Sequence, residues 1–502
     1  MKRNYPKILR NRKLRIARRL APRNWENQPR PMFGGSNIQY EMAERTEAMP
    51  CGGIGAMHLL AQRIGLVADL DRSLSLLKVH LPYHESDHVL NLTYNIMAGG
   101  QCLDDLEYRR QDASYLNGLG AQRIPDPTTA GDFTRRFTPE SITDLQECIN
   151  RARQVVWGVQ PAGFLAEAFI DVDGTIAGTD GECKAGIGLS YKGIWGYGPL
   201  IVSLANTQEV LYLVNRPGNA PSHSESVGWI DRAVALVRPT AGTVTIRGDT
   251  DFTHTAHLDR WDADGVKFIL GLDAHAKVVG LAQALPESAW QTLARLPKYT
   301  VLTEPRAKGF RHKEQIVIER GYENQKLVGE SVAEVEYRPA KCQRTYRLVI
   351  LRKNIRVQRG EQVLLEEVRY FFYLTNRRDL KLPKVVGLAN GRCNQENVIE
   401  QLKNGVNAMR LPVQDLVSNW AYMVMAALAW NMKAWFGLLM PRRERGMELV
   451  RMEFRRFLQA IMCIPCQVVK TARRIIYRLL GYNDWLVDFF ATFERIQAFS
   501  GP

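Results

Sequence analysis

Dense cysteine spacing is missing from this 502-residue sequence, whose eight cysteines scatter over Cys51, Cys102, Cys148, Cys183, Cys342, Cys393, Cys463 and Cys466. That pattern excludes a disulfide-stapled secreted scaffold and points to a reduced, cytosolic chain. Cys463-Ile464-Pro465-Cys466 has no second pair beside it, so two core thiols are expected there in preference to a zinc site or a redox pair. An uninterrupted apolar run of membrane-spanning length is also lacking. Trp420 to Leu439 comes nearest, but Asn431 and Lys433 break it, and it reads as a buried helix. The start has no apolar run followed by a small-residue cleavage site, so secretion is not expected. Acid is nearly absent from residues 1–30, where Glu26 stands against Lys2, Arg3, Lys7, Arg10, Arg12, Lys13, Arg15, Arg18, Arg19, Arg23 and Arg30.

What is present in excess is basic charge: 67 Lys plus Arg against 52 Asp plus Glu, a formal charge of +15. Such an excess favours a polyanionic partner, because each neutralised phosphate releases condensed counterions. The bulk figure also suits a protein that needs charge only for solubility, so the distribution matters more. Arg12, Lys13, Arg18 and Arg19 belong to the basic start, and Arg473 and Arg474 to a second basic concentration between Arg442 and Arg478. Two basic ends suit the clamping of a duplex. With 45% hydrophobic and 24% charged residues the chain should fold, and it is long enough for two to four domains.

The patterning divides the chain into a basic arm (1–50), ending in a loose stretch, and a helical DNA-binding module (51–150). In the latter, Ser86 or Asp87 caps the run Val89 to Met97, and Asp126-Pro127-Thr128-Thr129 leads into a helix from Ala130 to Phe137. Residues 160–275 change to strands: Phe169 to Asp173, Leu200 to Leu204, and Val210 to Val214 after a turn at Asn206 to Glu209. A helix over about 222–237, a strand Thr243 to Arg247, a helix near 255–262 and a strand Val266 to Leu272 follow. That order is the one an RNase H-like α/β core uses. Residues 276–380 read as a β-rich insertion with Gln315 to Ile318, Ser331 to Tyr337, Tyr346 to Leu351 and Val368 to Leu374 as strands. Its loops carry Arg306, Lys308, Arg311 and Lys313. Residues 381–440 complete the core with a helix from Asn394 to about Asn404, and 441–502 form a basic C-terminal helical region.

Asp173 and Asp249 each end an apolar strand, and reactive groups of open α/β sheets collect at the carboxyl ends of strands. Paired carboxylates there would suit hard divalent ions, two of which can activate the attacking and stabilise the leaving oxygen of a phosphodiester. Glu396 is the candidate third acid, with Arg392 four residues before and Lys403 seven after. At about 100° per residue these three share one helix face to within roughly 60°. Asp171 lies on the same strand face as Asp173, and Asp251 is two positions from Asp249, so either neighbour could stand in for its partner. A strand-end Asp is often only a turn former, and Arg392, Glu396 and Lys403 could equally be a solvated, salt-bridged face.

Several motifs together resemble bacterial insertion-sequence transposases of the DDE class, specifically the insertion sequence 1380 group. They are Tyr83 to His88, Ile124 to Phe133, Asp171-Val172-Asp173-Gly174-Thr175, Tyr191-Lys192-Gly193, Arg216-Pro217-Gly218-Asn219, Arg247 to Phe252, Asn394 to Asn397 and Gln401 to Gly405. The resemblance covers about residues 50–480. It implies an RNase H-like core interrupted before the catalytic glutamate, with Asp173, Asp249 and Glu396 as metal-holding first, second and third acids. It also implies Mg²⁺, with Mn²⁺ able to substitute, and hydrolysis at transposon ends followed by transfer to target DNA. The implied partners are double-stranded DNA, as terminal inverted repeats and target, and a second copy in a synaptic homodimer, in the bacterial cytoplasm at the nucleoid and away from membrane. Arg392, Glu396 and Lys403 fit the related signature Tyr-x2-Arg-x3-Glu-x6-Lys, except that Ala389 stands at the tyrosine position.

Three rival readings remain at this level. His84-Glu85-x-x-His88 matches a zinc-hydrolase helix, although Pro82 places His84 at a frayed helix start. An RNase H-like nuclease without strand transfer and a non-catalytic DNA-binding protein would carry the same charge. Trp195, Trp290 and Tyr346 could stack on an unpaired base, but packed aromatics are the commoner case and none is counted as a site.

Overall fold

The computed structural model describes residues 5–21, 32–33, 35–44, 46–80, 82–181, 183–295, 315, 319–321, 323–359 and 362–499. The loop cations Arg306, Lys308, Arg311 and Lys313, and the strand expected at 315–318 apart from Gln315, lie outside the described residues.

The basic arm contains a helix, α1 (Tyr5–Leu20), that no sequence pattern had marked. Its charges hide a sparse contact stripe: Tyr5 stacks on Phe490 at 4.9 Å, Leu9 packs on the core, and Arg12 donates to the carbonyls of Leu479 and Gly481 at 3.0 and 2.8 Å. Helices α2 (Ile54–Arg63), α3 (Leu66–Ser73), α4 (Glu85–Met97), α5 (Leu106–Arg110), α6 (Ala113–Leu119), α7 (Pro127–Thr134) and α8 (Pro139–Gly158) follow. Asp126 caps α7 by accepting the Thr129 amide, and Pro127 fills its first position, so this helix starts three residues earlier than expected and ends at Thr134. The residue that caps α4 is His84, not Ser86 or Asp87; Asp87 reaches back to the His84 amide at 2.9 Å.

A mixed sheet of nine strands forms the other half. Its order is β10-β11-β12-β13-β9-β8-β2-β6-β7, with β2 (Leu165–Gly174), β6 (Leu200–Leu204), β7 (Glu209–Val214), β8 (Ala241–Gly248) and β9 (Lys267–Leu272) at one end. β2, β8 and β9 run parallel to their neighbours in that series, while β6 and β7 are antiparallel. Helices α9 (Ser226–Val237), α10 (Leu258–Ala263) and α11 (Ala276–Gln283) come between and after these strands. The strand-helix-strand-helix-strand order is the expected one, with α9 starting four residues later than its sequence pattern suggested. The β-rich segment continues the same sheet: β13 (Gln362–Thr375) pairs with β9, then β12 (Tyr346–Arg359), β11 (Glu323–Tyr337) and the short β10 (Gln291–Thr292) extend it.

Helices α12 (Leu382–Gly391) and α13 (Asn394–Glu400) return the chain to the parallel end, and α14 (Leu416–Leu438) runs through the centre of the molecule. Every residue of α14 from Ser418 to Leu438 is buried, which explains its apolar run. Its two polar interruptions have partners. Asn431 accepts the Val210 amide at 2.9 Å and donates to the Val210 carbonyl at 3.0 Å, closing the edge of β7 as another strand would. Lys433 donates to the carbonyls of Val450 and Met452 at 2.8 and 2.7 Å, at the end of α15 (Arg443–Arg451). No helix among the described residues is long and apolar enough to cross a membrane.

The C-terminal region is not wholly helical. After α16 (Phe454–Phe457) come the hairpin strands β14 (Cys466–Lys470) and β15 (Ile475–Leu479), and β14 also pairs with β1 (Ala48–Met49), before α17 (Leu486–Ala498) ends the fold. Val468, Val469, Ile475 and Ile476 are β-branched and favour the pleated conformation despite the basic residues among them. Only Cys466 of the expected pair of core thiols is buried; Cys463 is exposed.

Candidate active site

The parallel register of β2 and β8 aligns Asp171 with Arg247, and Asp173 and Asp249 each lie two residues further on. Adjacent strands are about 4.8 Å apart, so the two carboxylates share one end of the sheet. Asp171 and Asp173 are distinguished by their partners. Asp171, 1% exposed, is held by Arg247 through Nε and Nη2 at 2.6 and 2.7 Å. Arg247 also donates to the Leu388 carbonyl at 2.9 Å, tying α12 to the sheet, and a Cβ on Gly391 would come within 2.7 Å of that guanidinium. Asp173 is free of this lock and partly exposed at the strand end, its Oδ1 accepting its neighbour's amide, from Gly174 at 2.8 Å. Asp249 accepts the Asp251 amide at 3.1 Å, capping the short turn that follows β8, and Asp251 itself is exposed.

Between the two acids stands Arg392. Its Nη1 donates to Asp173 Oδ2 at 2.9 Å, and its charge also acts on Asp249. Burial pushes the Asp173 carboxyl up to about 6, Arg392 opposing and Asp249 reinforcing the rise. Burial raises Asp249 as well, again against Arg392. Two hard carboxylates that repel each other and attract one cation are a donor set suited to a divalent metal.

Glu396 follows Arg392 by one helical turn, the Gln395 amide bonding the Arg392 carbonyl at 2.8 Å, and it is exposed. Among the described residues no three His, Cys, Asp or Glu side chains, Asp173, Asp249 and Glu396 included, are gathered closely enough to hold a metal ion. The expected regular helix to Asn404 ends at Glu400, and a π-helical turn, Gln401–Gly405, takes over. The wider turn breaks the 100° spacing, so Lys403 does not follow the face computed for it. Burial and the charge of Lys192 both lower the Lys403 ammonium below its ordinary value, while Glu400 opposes them.

Three positioning residues lie in the quoted motifs but were given no role there. Gln395, 1% exposed, donates to the carbonyls of Asp171 and Ile201 at 3.2 and 2.9 Å and so seats α13 on β2 and β6. Arg247 was visible as a charge inside an apolar strand, which demands a buried partner. Arg216 is buried and donates to the carbonyls of Gly198, Ser222 and Ser224 at 3.0, 2.9 and 2.7 Å, shaping the loop beside Gly174.

The zinc-like motif has other employment. Glu85 is fully buried and accepts the amides of Leu76 and Leu77 at 3.0 and 3.1 Å, while His88 stacks on Phe133 at 4.3 Å. Of the three aromatics, Trp290 lies 4.2 Å under Arg352 and Tyr346 is buried with its hydroxyl on Asp259; Trp195 is 54% exposed. Arg18, Arg19, Arg473 and Arg474 are exposed, whereas Arg12 is engaged with carbonyls and Lys13 lies 3.9 Å from Asp484.

The family model described as Transposase DDE domain group 1 matches residues 48–500. Among solved structures, the cryo-EM structure of a piggyBac transposase synaptic complex with hairpin DNA matches at 10% identity with a TM-score of 0.34, covering 83% of this chain and 84% of that one. None of the curated proteins matches the sequence.

Proposed function

The chain belongs to the transposase DDE domain group 1 family, and on that premise we propose that it cleaves the ends of a mobile DNA element and joins them to target DNA. The observation that carries this reading is the meeting of Asp173, Asp249 and Arg392 at the carboxyl end of β2 and β8. We take the series β7-β6-β2-β8-β9 as an RNase H-like core, extended by the strands of residues 276–380 and completed by residues 381–440. The insertion sequence 1380 group of bacterial elements remains the proposed subgroup, on the motifs quoted above.

Asp173, Asp249 and Glu396 would hold Mg²⁺ or Mn²⁺, which when bound activates the attacking oxygen and stabilises the leaving one. The rest of the work falls to the chain. The strand ends fix the two aspartates, and Gln395 fixes the helix from which Glu396 must turn inward. Arg392 offsets the aspartate charges until metal does so and is then free to meet a phosphate oxygen. Lys403 supplies a second cation from the π turn that follows. Arg18, Arg19, Arg473 and Arg474 hold duplex phosphates away from the chemistry, and the working form is a homodimer that joins two ends.

Incubation with candidate end DNA and Mg²⁺ tests the proposal. Asp249→Asn is expected to keep binding the DNA while losing strand cleavage, and joined products separate a transposase from a simple nuclease. Cleavage by Asp249→Asn at the unsubstituted rate would end it.

A further inference from the structure

A short three-stranded sheet projects from the end of β2: β3 (Ala177–Gly178), β4 (Gly188–Leu189) and β5 (Trp195–Tyr197), in the order β3-β5-β4. Its β4–β5 hairpin carries the motif Tyr191-Lys192-Gly193, to which the proposed chemistry gives no part. At and beside the tip, Tyr191 is 85% exposed, Trp195 54% and Ile194 42%. Lys192 lies over the Tyr191 ring at 5.4 Å.

The platform is rigid although its tip is bare. Tyr197 is buried and donates to the Ala185 carbonyl at 2.8 Å. The motif Arg216-Pro217-Gly218-Asn219 cradles the hairpin from below, the Gly218 amide bonding the Gly196 carbonyl at 3.0 Å. A Cβ at Gly218 would come within 2.5 Å of the Gly188 carbonyl oxygen and 2.7 Å of that of Gly196, so only glycine allows this approach. Exposed aromatics on a fixed platform suit ligand contact, because little side-chain freedom is lost on binding.

Two relationships direct this tip toward the cleft. β3 begins four residues after Asp173, a reach of roughly 13 Å of extended chain, and the Thr179 amide bonds the Trp195 carbonyl at 2.9 Å. The charge of Lys192 also reaches Lys403, where Glu400 opposes it. A cation held over exposed flat rings suits a nucleobase and the phosphate attached to it.

We propose that Tyr191, Lys192 and Trp195 form a binding site for an unpaired nucleotide of the DNA strand next to the cleavage point, the rings stacking on the base and Lys192 and Lys403 taking its phosphate. This rests on the transposase reading. It adds that the end is held with bases out of the duplex, and it assigns the hairpin to that task.

The test is fluorescence anisotropy with a labelled single-stranded dT 12-mer and a 12-base-pair duplex, using the full chain in EDTA so that cleavage plays no part. Wild type should prefer the single strand, and Tyr191→Ala with Trp195→Ala should weaken single-strand binding about tenfold or more while leaving the duplex within about twofold. Tyr191→Phe with Trp195→Phe should retain the preference. Equal loss on both probes, no loss on either, or no preference in wild type would overturn the site. So would sedimentation showing that the alanine pair abolishes self-association while single-strand affinity stays unchanged, since the tip would then meet a second copy of the chain. Loss of the transposase reading itself would show separately, as cleavage that survives Asp249→Asn.

Discussion

Arg392 donates from Nη1 to Oδ2 of Asp173 at 2.9 Å, in a cleft whose other acid is Asp249. The guanidinium thus holds a place that a divalent cation would compete for, and charge balance permits one or the other. Arg392→Met should therefore lower the stability of the metal-free protein by about 2 kcal/mol, because two largely buried carboxylates lose the cation that offsets them. It should also enlarge the rise in melting temperature on adding Mn²⁺. Thermal melts in EDTA and in saturating Mn²⁺ read both effects; an unchanged Mn²⁺ response would show that arginine and metal do not exchange.

His88 gives the fold a defined acid limit. It is 3% exposed, stacked on Phe133, and burial together with Arg136 brings its imidazole from 6.5 down to about 4, against Glu85. The native state thus binds fewer protons than the unfolded chain, and the contribution is whole above pH 6.5 and lost as pH falls from 6.5 toward 4. It amounts to about 3 kcal/mol. Urea melts across that window should show a shallower decline for His88→Phe than for wild type, and parallel declines would remove His88 as the cause.

Glu209 joins three elements. It accepts from Arg153 at 2.9 Å, Trp157 at 3.0 Å and Trp435 at 2.7 Å, all buried, linking α8, β7 and α14. Glu209→Ala leaves a buried guanidinium without its counter-charge and should cost about 4 kcal/mol in urea unfolding. A loss under about 1 kcal/mol would mean that the cavity fills with water at little expense.

The cations of α1 divide into two roles. Arg12→Ala should undock the helix and speed its proteolysis, since Arg12 holds the carbonyls of Leu479 and Gly481. Arg18→Ala and Arg19→Ala should leave proteolysis unchanged and each lower the salt slope of DNA binding by about 1. A salt slope that falls for Arg12→Ala with the helix still protected would assign Arg12 to DNA instead.

The central strands were legible because buried strands demand apolar runs, and so was the position of Asp173 and Asp249 at the ends of two such runs. The choice of Asp173 over Asp171 was not, since both lie on one face; it depends on Arg247, a residue distant in sequence that takes Asp171 for itself. Helix α1 was hidden because its docked stripe is Tyr5, Leu9 and Arg12, too few apolar positions for a periodic signal. The turn at Gln401–Gly405 defeated the facing of Lys403, because a π turn leaves no mark in residue spacing. The aromatic hairpin was half visible: Trp195 was noticed with Trp290 and Tyr346, and only packing separates the exposed ring from the other two.

The most direct measurement is calorimetric titration of Mn²⁺ into the complex with end DNA, for the wild type and for Asp173→Asn, Asp249→Asn and Glu396→Gln. If the three acids close on one metal site when DNA is bound, each substitution weakens Mn²⁺ by at least about tenfold. Glu396→Gln binding Mn²⁺ as tightly as wild type, beside losses in both aspartate variants, would contradict the account.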